Sequence, residues 1–201
     1  MSMLIVDLDA FTEEVDKLLG DLKDETPKVL RAALSTTARK VRKTVVSEAA
    51  SRYAYQDSGA WANSNKGALK LKAKSKRDDF YTRLVSTGPM NELLDFMVSP
   101  ASYSPSSRPD AHKAKVLAAG ALTALGDAPK PFITKFKSGH IAVVQRKGKK
   151  HLPVKKLLSP AVPSMVQNAG LVETAQEMMS TELPVQIQKA VQRTLRKAGR
   201  T

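Results

Sequence analysis

The stretch KPFITKFKSGHIAVVQRKGKKHLPVKKLLSPAVPSM, Lys130 to Met165, decides the fold. Two runs rich in β-branched and aromatic residues, Pro131 to Lys137 and Ile141 to Arg146, flank Ser138-Gly139-His140, which is the spacing of a strand-turn-strand hairpin. A second basic turn, Lys147 to Lys150, leads into an apolar run bounded by Pro153 and Pro160. Strands that carry lysine on alternate residues present a flat positive surface. Such a surface suits a polyanion or a neighbouring subunit better than it suits chemistry.

Outward from this hairpin, Leu69, Leu71 and Ala73 alternate with Lys70, Lys72 and Lys74, the period of a half-buried strand. Ser75 to Asp79 reads as its turn and Phe80 to Thr87 as its partner, ended by Gly88 and Pro89. Helices bracket these strands. Leu8, Phe11, Val15, Leu18, Leu19 and Leu22 form one apolar stripe over Val6 to Leu22, with Asp7 or Asp9 as cap. Thr26-Pro27 opens a second helix, whose stripe Leu30, Leu34, Val41, Val45 and Ala49 carries it to about Tyr53. Leu171 to Lys197 is helical again, and Pro184 is expected to kink or divide it.

Gly59 to Gly67 reads as a loop, and VSPASYSPSSRPD, residues 98–110, as an extended loop, because its three prolines and five serines do not sustain regular hydrogen bonding. Loops of that length are usually functional or become ordered against a partner. His112 to Leu125 fits a short helix, a strand or a turn. The fold class expected is α+β: an antiparallel sheet of two hairpins packed against N-terminal amphipathic helices and a kinked C-terminal helix. Residues 1–201 are expected to form a single domain, with the acidic helix 1–25 and the basic helix 171–201 as peripheral arms.

The composition removes several function classes. With 201 residues and 42% hydrophobic content the chain can bury a core. It has no cysteine, so disulfides, thiolate metal sites and cysteine nucleophiles are excluded. The N-terminus lacks a basic leader, and no apolar run approaches the ~18 residues of a membrane span, so no membrane partner is expected. The three histidines, His112, His140 and His151, lie apart without a second ligand type at helical spacing, and Asp78-Asp79 and Glu13-Glu14 read as solvated charge. No serine sits in an elbow context, and Gly120 to Gly126 is not a phosphate loop. The expectation is a non-enzyme with no catalytic residue, no metal and no cofactor.

Charge remains as the main signal. Residues 1–25 carry eight acids against Lys17 and Lys23, a balance of −6 that leaves +20 on the rest of a chain of net charge +14. Such a body is drawn to polyanions, and the acidic leader is a match for a basic surface on its own or a neighbouring subunit. The candidate contact residues for DNA or an acidic partner are Lys70, Lys72 and Lys74, with Lys76 and Arg77 beside them, then Lys135, Lys137, Arg146, Lys147, Lys149 and Lys150, then Lys155 and Lys156. Either they keep a solvated face that blunts a sheet edge, or they touch phosphates or an acidic protein. Lys189, Arg193, Arg196, Lys197 and Arg200 either complement a helix dipole or bind phosphate.

Two segments together carry a family resemblance. MNELLDFMVSPASYSPSSRPDAHKAKV, Met90 to Val116, runs from an LLDF step through VSP and a serine-proline loop to a basic strand; the second is the segment from Pro131 to Met165, with its SGH turn, its RKGKKHLP run and its paired prolines. In this order they resemble the minor tail protein Z family of long-tailed phages and prophages, over roughly the C-terminal half of the core. The resemblance implies an α+β virion protein at the head-proximal end of the tail, made in the bacterial cytoplasm, which completes the tail as a homo-oligomeric ring, most simply a hexamer. Implied partners are the tail terminator or tail tube protein, a head-joining protein, the tape measure protein and double-stranded DNA at the genome end. Leu93, Leu94, Phe96, Tyr103, Leu152, Leu157 and Leu158 are then candidates for the subunit interface, unless the Leu152 to Pro160 run covers its own core. The alternative is a stand-alone, sequence-nonspecific nucleic-acid-binding protein.

Overall fold

The computed structural model describes residues 8–57, 68–76, 79–106, 109, 111–126, 128–168 and 170–200; the side chains at 9, 10, 68 and 71–83 lie outside the description. Helices stand at both ends of the chain and four small sheets lie between them, an α+β arrangement. The chain divides into two compact units. One comprises residues 1–46, 69–87 and 166–201, the other 47–68 and 88–165.

The first unit is built on three helices. Helix α1 is Asp9–Leu19, and a 3-10 turn, Gly20–Glu25, joins it to α2, Thr26–Arg52. The N-cap of α1 is Leu8, with no side-chain cap. Leu8 instead buries itself with Val15, Leu19, Val29, Leu30, Ala33 and Leu34 against Leu183, Ile187, Ala190 and Val191. Thr26, almost wholly buried, donates its hydroxyl to the Asp16 carboxylate and so ties α1 to the start of α2. Strands β1, Ala68–Lys76, and β2, Asp79–Thr87, pair with each other where the alternating lysines placed them. The Gly59 to Gly67 loop and two residues of the expected turn, 77 and 78, fall outside the described residues.

The C-terminal helix, which we number α4, runs Leu171–Lys197 as one element with Pro184 inside it, so the proline does not divide it. A proline removes a single i to i−4 bond, while Leu183 and Ile187 on either side are buried. Tertiary burial holds the helix where propensity opposes it. A seven-residue helix α3, Val162–Asn168, precedes it.

The second unit holds the other three sheets. Strand β3, Asn91–Glu92, leads through a 3-10 turn, Leu93–Asp95, into β4, Met97–Ser99, which pairs antiparallel with β5, Lys113–Lys115. The serine-proline loop is therefore the long connection of a hairpin, since Ser99 stands opposite Lys113. At its neck the buried His112 places Nδ1 3.0 Å from the Pro100 carbonyl, a structural use of that histidine. The ambiguous His112 to Leu125 segment resolves as β5 and a short β6, Thr123–Ala124, joined by a turn. Lys113-Ala114-Lys115 buries only its central residue, as a half-buried strand does.

Strands β7, Phe132–Lys135, β8, Ile141–Arg146, and β9, Val154–Lys156, make an antiparallel meander. Gly139 supplies the left-handed residue of the β7–β8 turn at φ 84°. The Phe136 amide donates to the His140 carbonyl at 2.8 Å and closes that turn. The last strand, β10, Leu158–Ser159, pairs with β3. Val98, Ala114 and Val143 close a core with Leu93, while Tyr53, Phe96 and Met165 form another. Phe96 is wholly buried and meets Tyr55 edge-on, ring centroids 5.0 Å apart at 74°.

Candidate functional site

The β7–β8–β9 meander gathers most of the candidate cations, and its register sorts them. Phe132, Val144 and Lys156 stand in one row, and Arg146 opposite Val154 shares their face; Lys135 opposite Ile141 and Lys155 opposite Gln145 share the other. The two basic turns lie at opposite ends of β8, about 20 Å apart at the rise of a strand. The cations are thus spread over both faces and two ends, more widely than one flat surface.

Two of them are engaged within their own unit. The Arg146 guanidinium lies 5.6 Å from the centre of the Phe132 ring. The Lys156 ammonium is 3.2 Å from a Glu92 carboxylate oxygen and 5.5 Å from the centre of Phe136, which stacks on His140 at 6.1 Å. His140 Nε2 lies 2.8 Å from the other Glu92 oxygen, without the alignment of a hydrogen bond, and becomes an ion pair when the ring is protonated. Glu92 also shares a capping box with Asp95 at the 3-10 turn and stands opposite Leu158. One carboxylate therefore neutralises part of the basic meander and ties it to the β3 strand and the 3-10 turn that follows.

Six lysines remain exposed with no ion partner among the described residues: Lys135, Lys137, Lys147, Lys149, Lys150 and Lys155. Lys70, exposed on β1, belongs to the other unit, and the side chains of Lys72 and Lys74 lie outside the description. Among the apolar candidates, Leu93 and Phe96 are core residues, and Leu94 and Leu157 are half-buried against the Leu93 cluster. Tyr103, Leu152 and Leu158 point outward, with Leu152 65% exposed.

The helical unit carries a second cationic feature, which includes Arg193 and Lys197 of the C-terminal cluster. Leu22, Val29, Ala32, Ala190 and Ala198 floor a groove of about 520 Å³ whose rim includes Lys28, Arg193 and Lys197. Lys28 is paired with Glu25 at 2.7 Å, and Arg200 reaches Asp21 at 3.3 Å. Among the described residues no group of three acid or histidine side chains is placed to hold a metal ion, and no helix is long and apolar enough to cross a membrane. Comparison with curated proteins and with solved structures finds no match. A family model does match, that of the prophage minor tail protein Z, and it spans residues 20–200, taking in α2 and α4 of the helical unit but not α1, together with the serine-proline hairpin and the basic meander; the chain belongs to that family.

Proposed function

We propose that this chain is a structural, non-enzymatic component that completes a phage or prophage tail at its head-proximal end. Copies assemble as a ring, taken as six, which meets the tail terminator or tail tube protein on one side and the head-joining protein on the other. The match to a tail protein family across residues 20–200 carries this reading. It is supported by the exposed lysines of the β7–β8–β9 meander, which suit acidic partners, and by the exposed side chains described in the β4–β5 connection, Tyr103 among them, which are open to a neighbour. The tape measure protein and the end of the double-stranded genome are further acidic or extended partners within reach of such a ring.

The test is composition and position. Tails purified from an induced prophage are analysed by mass spectrometry and labelled with antibody to this chain. Several copies per tail at the end that joins the head are expected. Complete tails that lack the chain overturn the proposal, and sequence-independent DNA binding by a protein found only outside particles would replace it with the stand-alone nucleic-acid reading.

A further inference from the structure

We infer that the basic β8–β9 turn of the meander docks the acidic N-terminal helix of a second copy of this chain. The inference rests on the assembly reading above and names the contact that builds it.

The docking surface has two ingredients. At the β8–β9 end, Lys147, Lys149, Lys150 and Lys155 are exposed and without ion partners among the described residues, whereas Lys156 and Arg146 are already engaged by Glu92, Phe136 and Phe132; Lys135 and Lys137 stand at the other end of β8. In the same β8–β9 connection stands Leu152, 65% exposed. A phosphate backbone rewards the lysines and leaves this apolar group in water. A protein surface with both carboxylates and an apolar anchor rewards both.

Helix α1 offers such a surface. Glu13 and Glu14 are exposed, and Leu18, one turn beyond Glu14, is 49% exposed. Asp24 extends the acidic side past the helix end. Asp16 is occupied by the Thr26 hydroxyl, Glu25 by Lys28 and Asp21 by Arg200, so among the described side chains Glu13, Glu14 and Asp24 are the acids left for a partner. An apolar residue among acids on one copy thus complements an apolar residue among lysines on the next. Lys17 and Lys23 are exposed among these acids, so the match is one of individual carboxylates against individual lysines and not of net charge. Because the two patches are different surfaces, the contact is heterologous and repeats from copy to copy, as a closed ring requires.

The experiment is a charge-reversal exchange on the full chain, read by sedimentation velocity, with circular dichroism confirming that each variant is folded. One variant carries Glu13→Lys, Glu14→Lys and Asp24→Lys; the other carries Lys147→Glu, Lys149→Glu and Lys150→Glu. Wild type is expected to associate beyond the 21.8 kDa monomer. That association should weaken roughly tenfold or more between about 0.1 M and about 1 M salt, as the Debye length falls from ~10 Å to ~3 Å. Each variant alone should associate at least about tenfold more weakly than wild type, and an equimolar mixture should regain association, because the reversed faces then match each other. Wild-type assembly untouched by either reversal overturns this contact and leaves the assembly reading standing. A wild type that stays monomeric at every concentration overturns both. A monomer that binds short duplex DNA, and loses it only in the lysine-reversed variant, assigns the surface to nucleic acid instead.

Discussion

Phe96 and Leu152 were both interface candidates by sequence, and the structure separates them. Phe96 is wholly buried among Tyr53, Tyr55 and Met165, and its ring meets Tyr55 edge-on at 5.0 Å. Truncating a phenylalanine in such a place removes its transfer free energy and leaves a cavity, a loss of ~3–5 kcal/mol that already includes the ~1 kcal/mol of the aromatic pair. For a chain of this length each kcal/mol lowers Tm by about 2–4 °C, so Phe96→Ala should melt about 10 °C lower. Leu152, 65% exposed, has little apolar surface to lose, and Leu152→Ser should change stability by less than about 0.5 kcal/mol. The two variants are compared by urea denaturation at a concentration below assembly, then by sedimentation above it. Phe96→Ala should fail in the first assay, and Leu152→Ser only in the second, through weaker association. A Phe96→Ala cost under about 1 kcal/mol, or a Leu152→Ser cost as large as that of Phe96, would refute this division between core and contact.

Pro184 interrupts the hydrogen bonding of α4, so Pro184→Ala should stabilise the chain by ~1–3 kcal/mol in urea denaturation; a neutral or destabilising result would mean that the proline shapes the helix for packing. Tyr55 carries a phenol pushed up to about 12, chiefly by burial and further by Asp95 and Asp57. A raised folded value means that stability is whole below the unfolded phenol's ~10 and drains away as pH climbs through the folded value, here by ~1–2 kcal/mol. Between about pH 9 and about pH 11 wild type should therefore lose more stability than Tyr55→Phe, measured as urea midpoints, and equal losses would contradict the assignment. Thr26→Val should cost ~1–2 kcal/mol by stripping the Asp16 carboxylate of its buried donor, and a smaller loss would show water taking the hydroxyl's place.

Much of the architecture was legible because its signals are local. Alternation at Leu69 to Lys74 and the Ser138-Gly139-His140 turn specify strands by period and turn chemistry, and the stripe from Leu171 to Leu195 specifies a helix whose observed span is Leu171–Lys197. The non-local features were not legible. Helix α1 ends at Leu19, short of the stripe's last residue, because Gly20 begins a 3-10 turn that carries Leu22 into the approach to α2. The placement of Phe96 depends on Tyr53, Tyr55 and Met165, which arrive from distant parts of the chain, and an apolar residue beside a serine-proline loop looks alike whether it serves a core or a neighbour. The lysines were visible as a class, but their sorting into engaged and exposed depends on Glu92, whose role arises only when β3, β8 and β9 meet. Periodicity does not report which acid reaches which base across 64 residues.

The account stands most directly on where this chain sits in a finished particle. A cryo-electron microscopy reconstruction of the tail-to-head joint is expected to show a closed ring of this chain, each copy setting α1 against the basic β8–β9 turn of the next. Density for the joint that is fully explained by other proteins, or copies whose β7–β8–β9 lysines all face bulk solvent, would contradict it.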